Sequence, residues 1–221
     1  MSQKVKKRKF LLAHRQGGRV VVLLLGMGAV AAPFVIVAVS GVQMDVLTYT
    51  MRLGGLLAFT LIFMNLVTGP MSRWFYQLFK PRRVYWFHVS TGVVGFTLGV
   101  LHGTIVFALA HYRDHPAVWL IGPVALGLMA VTMLTAMNRK RLPQLWRRIH
   151  QLNYLIFVAV YIKAMWIGSN VTAPTAAGNA MKALLSLELL VVAVATYMRV
   201  RTRVRVPAKR PAETVVEESS D

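Results

Sequence analysis

The chain has 221 residues, of which 56% are hydrophobic, and a formal net charge of +19 from 26 Lys+Arg against 7 Asp+Glu. A soluble domain of this length cannot bury that much apolar surface, so a bilayer is the natural solvent; the basic residues lie in clusters between apolar runs, which points to anionic headgroups and argues against nucleic acid as the partner. The absence of cysteine excludes thiolate metal sites, iron–sulfur clusters and disulfide relays.

A helix needs about 20 apolar residues to cross the hydrocarbon core. Six segments qualify in chain order: 20–40, 47–71, 84–110, 118–137, 149–167 and 181–198. The first is too long for a signal peptide and lacks a small-residue cleavage site, so no cleaved leader is expected. The second carries Arg52 near its outer end. Charge alternates between the connections. Lys4, Lys6, Lys7, Arg8, Lys9, Arg15 and Arg19 precede the first segment, and Arg73, Lys80, Arg82 and Arg83 follow the second. Arg139, Lys140, Arg141, Arg147 and Arg148 follow the fourth, and Arg199, Arg201, Arg203 and Arg205 follow the sixth. The other three connections are nearly free of Lys and Arg. The positive-inside rule then predicts an all-α membrane protein, a bundle of six transmembrane helices with both termini cytoplasmic, in a multi-pass cell-membrane setting. Residues 1–19 read as a basic cytoplasmic segment, 20–198 as the membrane domain, and 199–221 as a cytoplasmic tail whose acidic end suggests disorder.

Two letter matches carry nothing. Gly26, Gly28 and Ala31 fit a dinucleotide fingerprint, but that motif needs a strand before it and a soluble βαβ unit around it. Asn170-Val171-Thr172 reads as a glycosylation acceptor on the outer face, which means little without knowledge of the host.

Three of the six histidines, His88, His102 and His150, fall within membrane segments. Polar side chains are costly there and face the bundle interior, where a lone histidine often serves only to hydrogen-bond a neighbouring helix. His88 and His102 are fourteen positions apart, nearly on one face and about 21 Å apart along the axis. Gly92, Gly95 and Gly99 lie on or near that face, leaving room for a flat ligand or for a closely packed helix. His150 opens the fifth segment after a basic cluster, much as His88 opens the third, so the two share a depth. Two imidazoles at one depth on different helices can clamp a haem iron from its two faces. Zinc competes as the metal, but it would want three or four ligands and no other is evident at that depth.

These segments resemble the ferric reductase-like transmembrane domain shared by NADPH oxidases, ferric reductases and the haem-binding membrane subunit of bacterial methionine sulfoxide reductase systems. The third segment carries WFHVSTGVVGFTLGVLHG, similar to that family's His-x13-His helix. The fifth carries WRRIHQLNYLIFVAVYIKAMW, similar to its W-x-x-(Leu/Ile)-His start. The second carries RLGGLLAFTLIFMNLVTGPMSRWF, which looks like its Arg-led helix ending in Pro and Arg. The resemblance covers roughly 51–166, with the family-like core at about 47–170. It implies two stacked b-type haems between the third and fifth helices. His88 and His150 would hold the cytoplasmic-side haem and His102 the outer one, with Arg52 meeting haem propionates. Read without the resemblance, Arg52 is an arginine snorkelling to the outer interface.

The family would place a second outer histidine thirteen or fourteen residues after His150, where this chain has Lys163 and Ala164. A neutral lysine amine can ligate iron. The alternative is an ion pair with Glu188, the lone acidic residue inside a segment, at an inferred similar depth. That pairing is the favoured expectation, because an isolated charge there costs a few kcal/mol. The implied activity is that of a haem b electron carrier and oxidoreductase component. Electrons would pass from a cytoplasmic-side donor, a separate flavoprotein or a quinol, to an outer acceptor, and no fused flavin or nicotinamide domain is expected. The competing reading is a haem-free membrane subunit or small transporter whose polar residues serve packing or a substrate path.

Overall fold

The computed structural model describes residues 3–41, 45–109 and 116–204, and these are almost entirely helical, without a strand. The elements are α1 (Gln3–Val39), α2 (Val46–Thr68), α3 (Ser72–Leu78), α4 (Pro81–Leu109), α5 (Pro116–Met137), α6 (Leu145–Ile167), α7 (Ser169–Thr172) and α8 (Ala176–Val204). In hydrocarbon every backbone amide must be satisfied within its own segment, and a helix does this residue by residue.

Five helices are long and apolar enough to cross a membrane: those within Arg15–Val39, Val46–Thr68, Pro81–Ala108, Ala117–Met137 and Ala176–Thr202. The protein is therefore an all-α, multi-pass membrane protein. The sixth expected segment is present as α6, 23 residues long. It has the length to cross but falls short in apolarity, because Arg147, Arg148, His150, Gln151, Asn153 and Lys163 interrupt it. Two other boundaries differ from expectation. The basic N-terminal residues continue into α1 as one helix from Gln3, and α8 runs to Val204, through Arg199 and Arg201. The remainder of the expected tail, 205–221, lies outside the described residues.

α2 is the centre of the bundle, touching α1, α4, α6 and α8. Its buried positions include Leu53, Ala58, Phe59, Met64 and Leu66. Its tightest partner is α4, and two glycines explain why. A Cβ on Gly95 would lie 3.4 Å from the Ala58 carbonyl oxygen, and one on Gly92 would lie 2.8 Å from the Asn65 side-chain nitrogen. Small residues permit such close approach where the lipid offers no hydrophobic drive of its own. Gly92 and Gly95 thus serve helix packing. Phe59 stacks on Phe157 of α6 at 4.3 Å, and fully buried Met181 and Leu185 of α8 complete this core. Val20, Val21, Leu23, Leu24, Leu25 and Met27 on α1 stay more than half exposed, a surface that only acyl chains can solvate.

At the basic end, the Arg19 Nε–H donates to the Leu78 carbonyl, tying α1 to α3. Arg139 donates to the Tyr85 hydroxyl at 3.1 Å and lies 5.3 Å from the centre of its ring. At the opposite end Asp45 caps α2, accepting from the Thr48 amide at 2.9 Å.

Candidate functional site

His88 sits in the first third of α4. Its Nδ1 lies 3.1 Å from the Asn65 carbonyl oxygen and 3.0 Å from Thr68 Oγ1. The Thr68 hydroxyl already donates to the same carbonyl at 2.8 Å. Nδ1 must then carry the proton, which leaves the Nε2 lone pair free. The Asn65 amide donates back to the His88 carbonyl, so one turn of α2 holds both the ring and the backbone of His88.

His150 faces His88 from α6, with ring centroids 6.1 Å apart and planes at 67°. Trp146, one turn before, packs on the His150 ring at 5.6 Å. Asn153 contacts His150 Nδ1 at 3.3 Å and Thr132 Oγ1 of α5 at 2.9 Å, while Thr132 Oγ1 is also 2.9 Å from the Met129 carbonyl. Thr132 has one hydroxyl proton. That proton is shared between the Asn153 side-chain oxygen and the Met129 carbonyl, and the Asn153 NH2, on the other side of the same amide, donates to His150 Nδ1. His150 Nδ1 is thus an acceptor, the opposite sense to His88 Nδ1, and the proton of the neutral ring lies on Nε2.

His102 follows the pattern of His88 in the far half of α4. Its Nδ1–H donates to the Met51 carbonyl at 2.8 Å, and the ring lies over Gly55, where a Cβ would come within 2.8 Å of it. His102 lines a cavity of about 710 Å³ between α2, α4, α5 and α6, well within the size range of cofactor pockets. Arg52 and Lys163 line the same cavity, together with Gly99, Gly103, Trp119 and Phe157. Lys163 reaches across to α5, where a Cβ on Gly122 would overlap its Nζ. Arg52 donates to the Asn170 oxygen at 3.3 Å, and its Nε is buried without a hydrogen-bond partner. Arg52 is thus tied inward to α7, and Asn170, read from sequence as an acceptor for glycans, has its side-chain oxygen engaged.

The structure does not join Lys163 to Glu188. Glu188 is 3% exposed and accepts from the Thr60 hydroxyl at 2.9 Å, while its other oxygen is buried without a partner. It packs on the α2 side of α8, whereas Lys163 turns into the cavity toward Gly122. Equal depth did not bring them together, because the two side chains leave their helices toward different neighbours.

Compared with family models, curated proteins and solved structures, the chain matches none.

Among the described residues no three of His, Cys, Asp and Glu gather as a metal cluster. A bare ion needing three or four protein ligands is therefore poorly served, whereas a haem brings four donors of its own and asks the protein for two. A metal–imidazole bond is about 2 Å, and the ring centroid lies about 1 Å beyond the nitrogen, so two imidazoles on one ion stand roughly 6 Å apart. The His88 and His150 centroids, 6.1 Å apart in an edge-on arrangement, meet that distance. Sequence reasoning missed the groups that orient the three rings: Asn65, Thr68, Asn153, Thr132 and the Met51 carbonyl. The side chains among them were visible as polar residues in apolar segments, with Asn153 one turn after His150.

Proposed function

We propose that this chain is a haem b membrane cytochrome that carries electrons across the bilayer, with His88 and His150 as the axial ligands of a haem near its basic side. The observation that carries the reading is the facing pair of imidazoles, 6.1 Å apart, each with Nδ1 engaged. The bond from His88 Nδ1–H to the Asn65 carbonyl fixes that ring and raises the basicity of its other nitrogen, while the Asn153 NH2 fixes the orientation of the His150 ring. The resemblance to the ferric reductase-like transmembrane domain supports the same assignment. When bound, the haem supplies a one-electron couple. His88 and His150 would hold it, His88 oriented by Asn65 and Thr68 of α2, and His150 by Asn153 and the packed Trp146 ring.

In this reading α6 also crosses the membrane, its polar residues facing the bundle, and six spans leave both termini cytoplasmic. The basic connections flanking α4 and α6 then present a cationic surface beside the inner haem, suited to an acidic flavoprotein donor, with a quinol as the other source of electrons. The outer cavity faces the acceptor side.

The test is the absorbance spectrum of the purified protein. The expected result is a Soret band that shifts on reduction, with the low-spin bis-histidine signal lost in both His88→Ala and His150→Ala. Retention of the wild-type reduced spectrum and full haem content in both variants would overturn the ligand assignment. A colourless wild type would leave a haem-free membrane subunit.

A further inference from the structure

We infer that Glu188 is a proton-binding site inside the membrane, filled from the basic side when an electron reaches the inner haem; the electron half of this inference rests on the haem reading above.

The site comes first. Among the described residues Glu188 is the lone acid within a helix. It is 3% exposed, its Oε1 accepts from the fully buried Thr60 at 2.9 Å, and its Oε2 is buried without a partner. The titratable groups on the helices packed against α8 are engaged elsewhere or stand off. Arg52 of α2 is bound to Asn170, Tyr161 of α6 contacts Ser186, and Lys163 of α6 turns to Gly122. Tyr49 lies in the first turn of α2, Arg15 and Arg19 lie toward the basic end of α1, and α7 carries no titratable side chain. Lys182, six residues before Glu188 on α8, leaves that helix from another face. A carboxylate with one neutral hydrogen bond is costly in hydrocarbon, and a bound proton removes that cost. A hard metal cation asks for about six oxygens or more, whereas the contact here joins only Glu188 and Thr60.

A route to the basic side follows α8. Thr196 is eight residues beyond Glu188, about 12 Å along the axis and on the same side of the helix. Its Oγ1 is also buried without a partner. The Tyr154 side chain of α6 lies beside both Thr196 and Arg199, at the basic end. Buried polar atoms are as a rule satisfied, by water where the protein offers no partner. Water between Thr196 Oγ1 and Glu188 Oε2 completes a chain of proton carriers that opens at Arg199.

The same chain passes close to the haem level. Tyr154 is one turn after His150 on the same face of α6. Thr60 is five residues, about 7.5 Å, from Asn65, whose carbonyl holds His88. An electron arriving at that level adds negative charge in a low-dielectric surrounding, which draws in a compensating positive charge. The balance is one electron from the cytoplasmic-side donor to the iron and one proton from basic-side water to the Glu188 carboxylate. Both leave when the electron passes to the outer acceptor.

Infrared difference spectroscopy and potentiometric titration of the full-length protein in lipid nanodiscs test the inference. The wild type should show the stretch of a protonated carboxyl that grows on reduction, shifts in D2O and is absent in Glu188→Gln. Labelling with 13C-glutamate assigns the band in the wild type without any substitution. Thr196→Val and Tyr154→Phe should each slow its deuteration several-fold. The midpoint potential should fall as pH rises, by at most about 59 mV per unit for one proton per electron, and Glu188→Gln should flatten that slope. A wild type with no carboxyl band that responds to reduction, or a slope unchanged in Glu188→Gln, overturns the inference. Deuteration as fast in both route variants as in the wild type overturns entry from the basic side. A protein without haem overturns the reading above, and the pH titration of the carboxyl band then still decides the proton site, which falls if the band is absent at every pH.

Discussion

The separation of Lys163 from Glu188 can be measured as a coupling energy. Glu188 accepts one hydrogen bond, from Thr60 at 2.9 Å, and its second oxygen is buried without a partner. Glu188→Gln keeps the oxygen that Thr60 needs and places an NH2 where there was no partner, so its cost is at most that of one unsatisfied donor, about 1–3 kcal/mol. Thr60→Val removes the donor and should cost a similar amount, about 1–3 kcal/mol. Lys163→Met acts in a different place, beside Gly122. With no shared partner, Lys163→Met and Glu188→Gln should add to within about 0.5 kcal/mol. A buried ion pair would behave otherwise. Each single change would strand a charge at about 3–5 kcal/mol, and the double change would be milder than either. The assay is reversible unfolding in mixed micelles titrated with a denaturing detergent, followed by helical circular dichroism, on the wild type, both singles and the double. A coupling above about 1 kcal/mol, with the double variant more stable than either single, refutes the separation of the two groups.

Gly55→Ala should destabilise by about 1–3 kcal/mol in the same assay, because its Cβ meets the rigid His102 ring at 2.8 Å and threatens the bond to Met51. Gly122→Ala should cost less, since it meets only the free end of Lys163; the reverse order would mean that His102 is not held in place. A reporter at the C-terminus should read as cytoplasmic and one inserted near Asn170 as external, and the opposite pattern would end the six-span topology. Hydrogen bonds from Thr48 hold the Asp45 carboxyl below the usual carboxylate range. Its capping of α2 is therefore complete above that range and lost as pH falls through the lowered value. The Thr48 amide resonance should titrate there and be flat in Asp45→Asn, while titration at or above the ordinary carboxylate value would contradict the cap.

Residue type and spacing alone determined the helical class and the membrane setting. Runs of about 20 apolar residues have few ways to be solvated, and five of the six expected segments meet that standard as helices. The shared depth of His88 and His150 was equally legible, since rise per residue is constant along a helix. Rotation about the helix axis was not legible. Depth alone put Lys163 beside Glu188, but Glu188 turns to Thr60 on α2 and Lys163 to Gly122 on α5. The glycines between the histidines allowed two readings, and only packing divided them: Gly92 and Gly95 admit α2, while Gly99 and Gly103 border the cavity. The orientation of each imidazole was also a tertiary matter. The Met51 carbonyl is 51 residues from His102, and the Asn65 carbonyl is 23 residues from His88. No local pattern encodes such contacts, because they depend on which face of α2 packs against α4, and that is decided by the fit of side chains across the whole bundle.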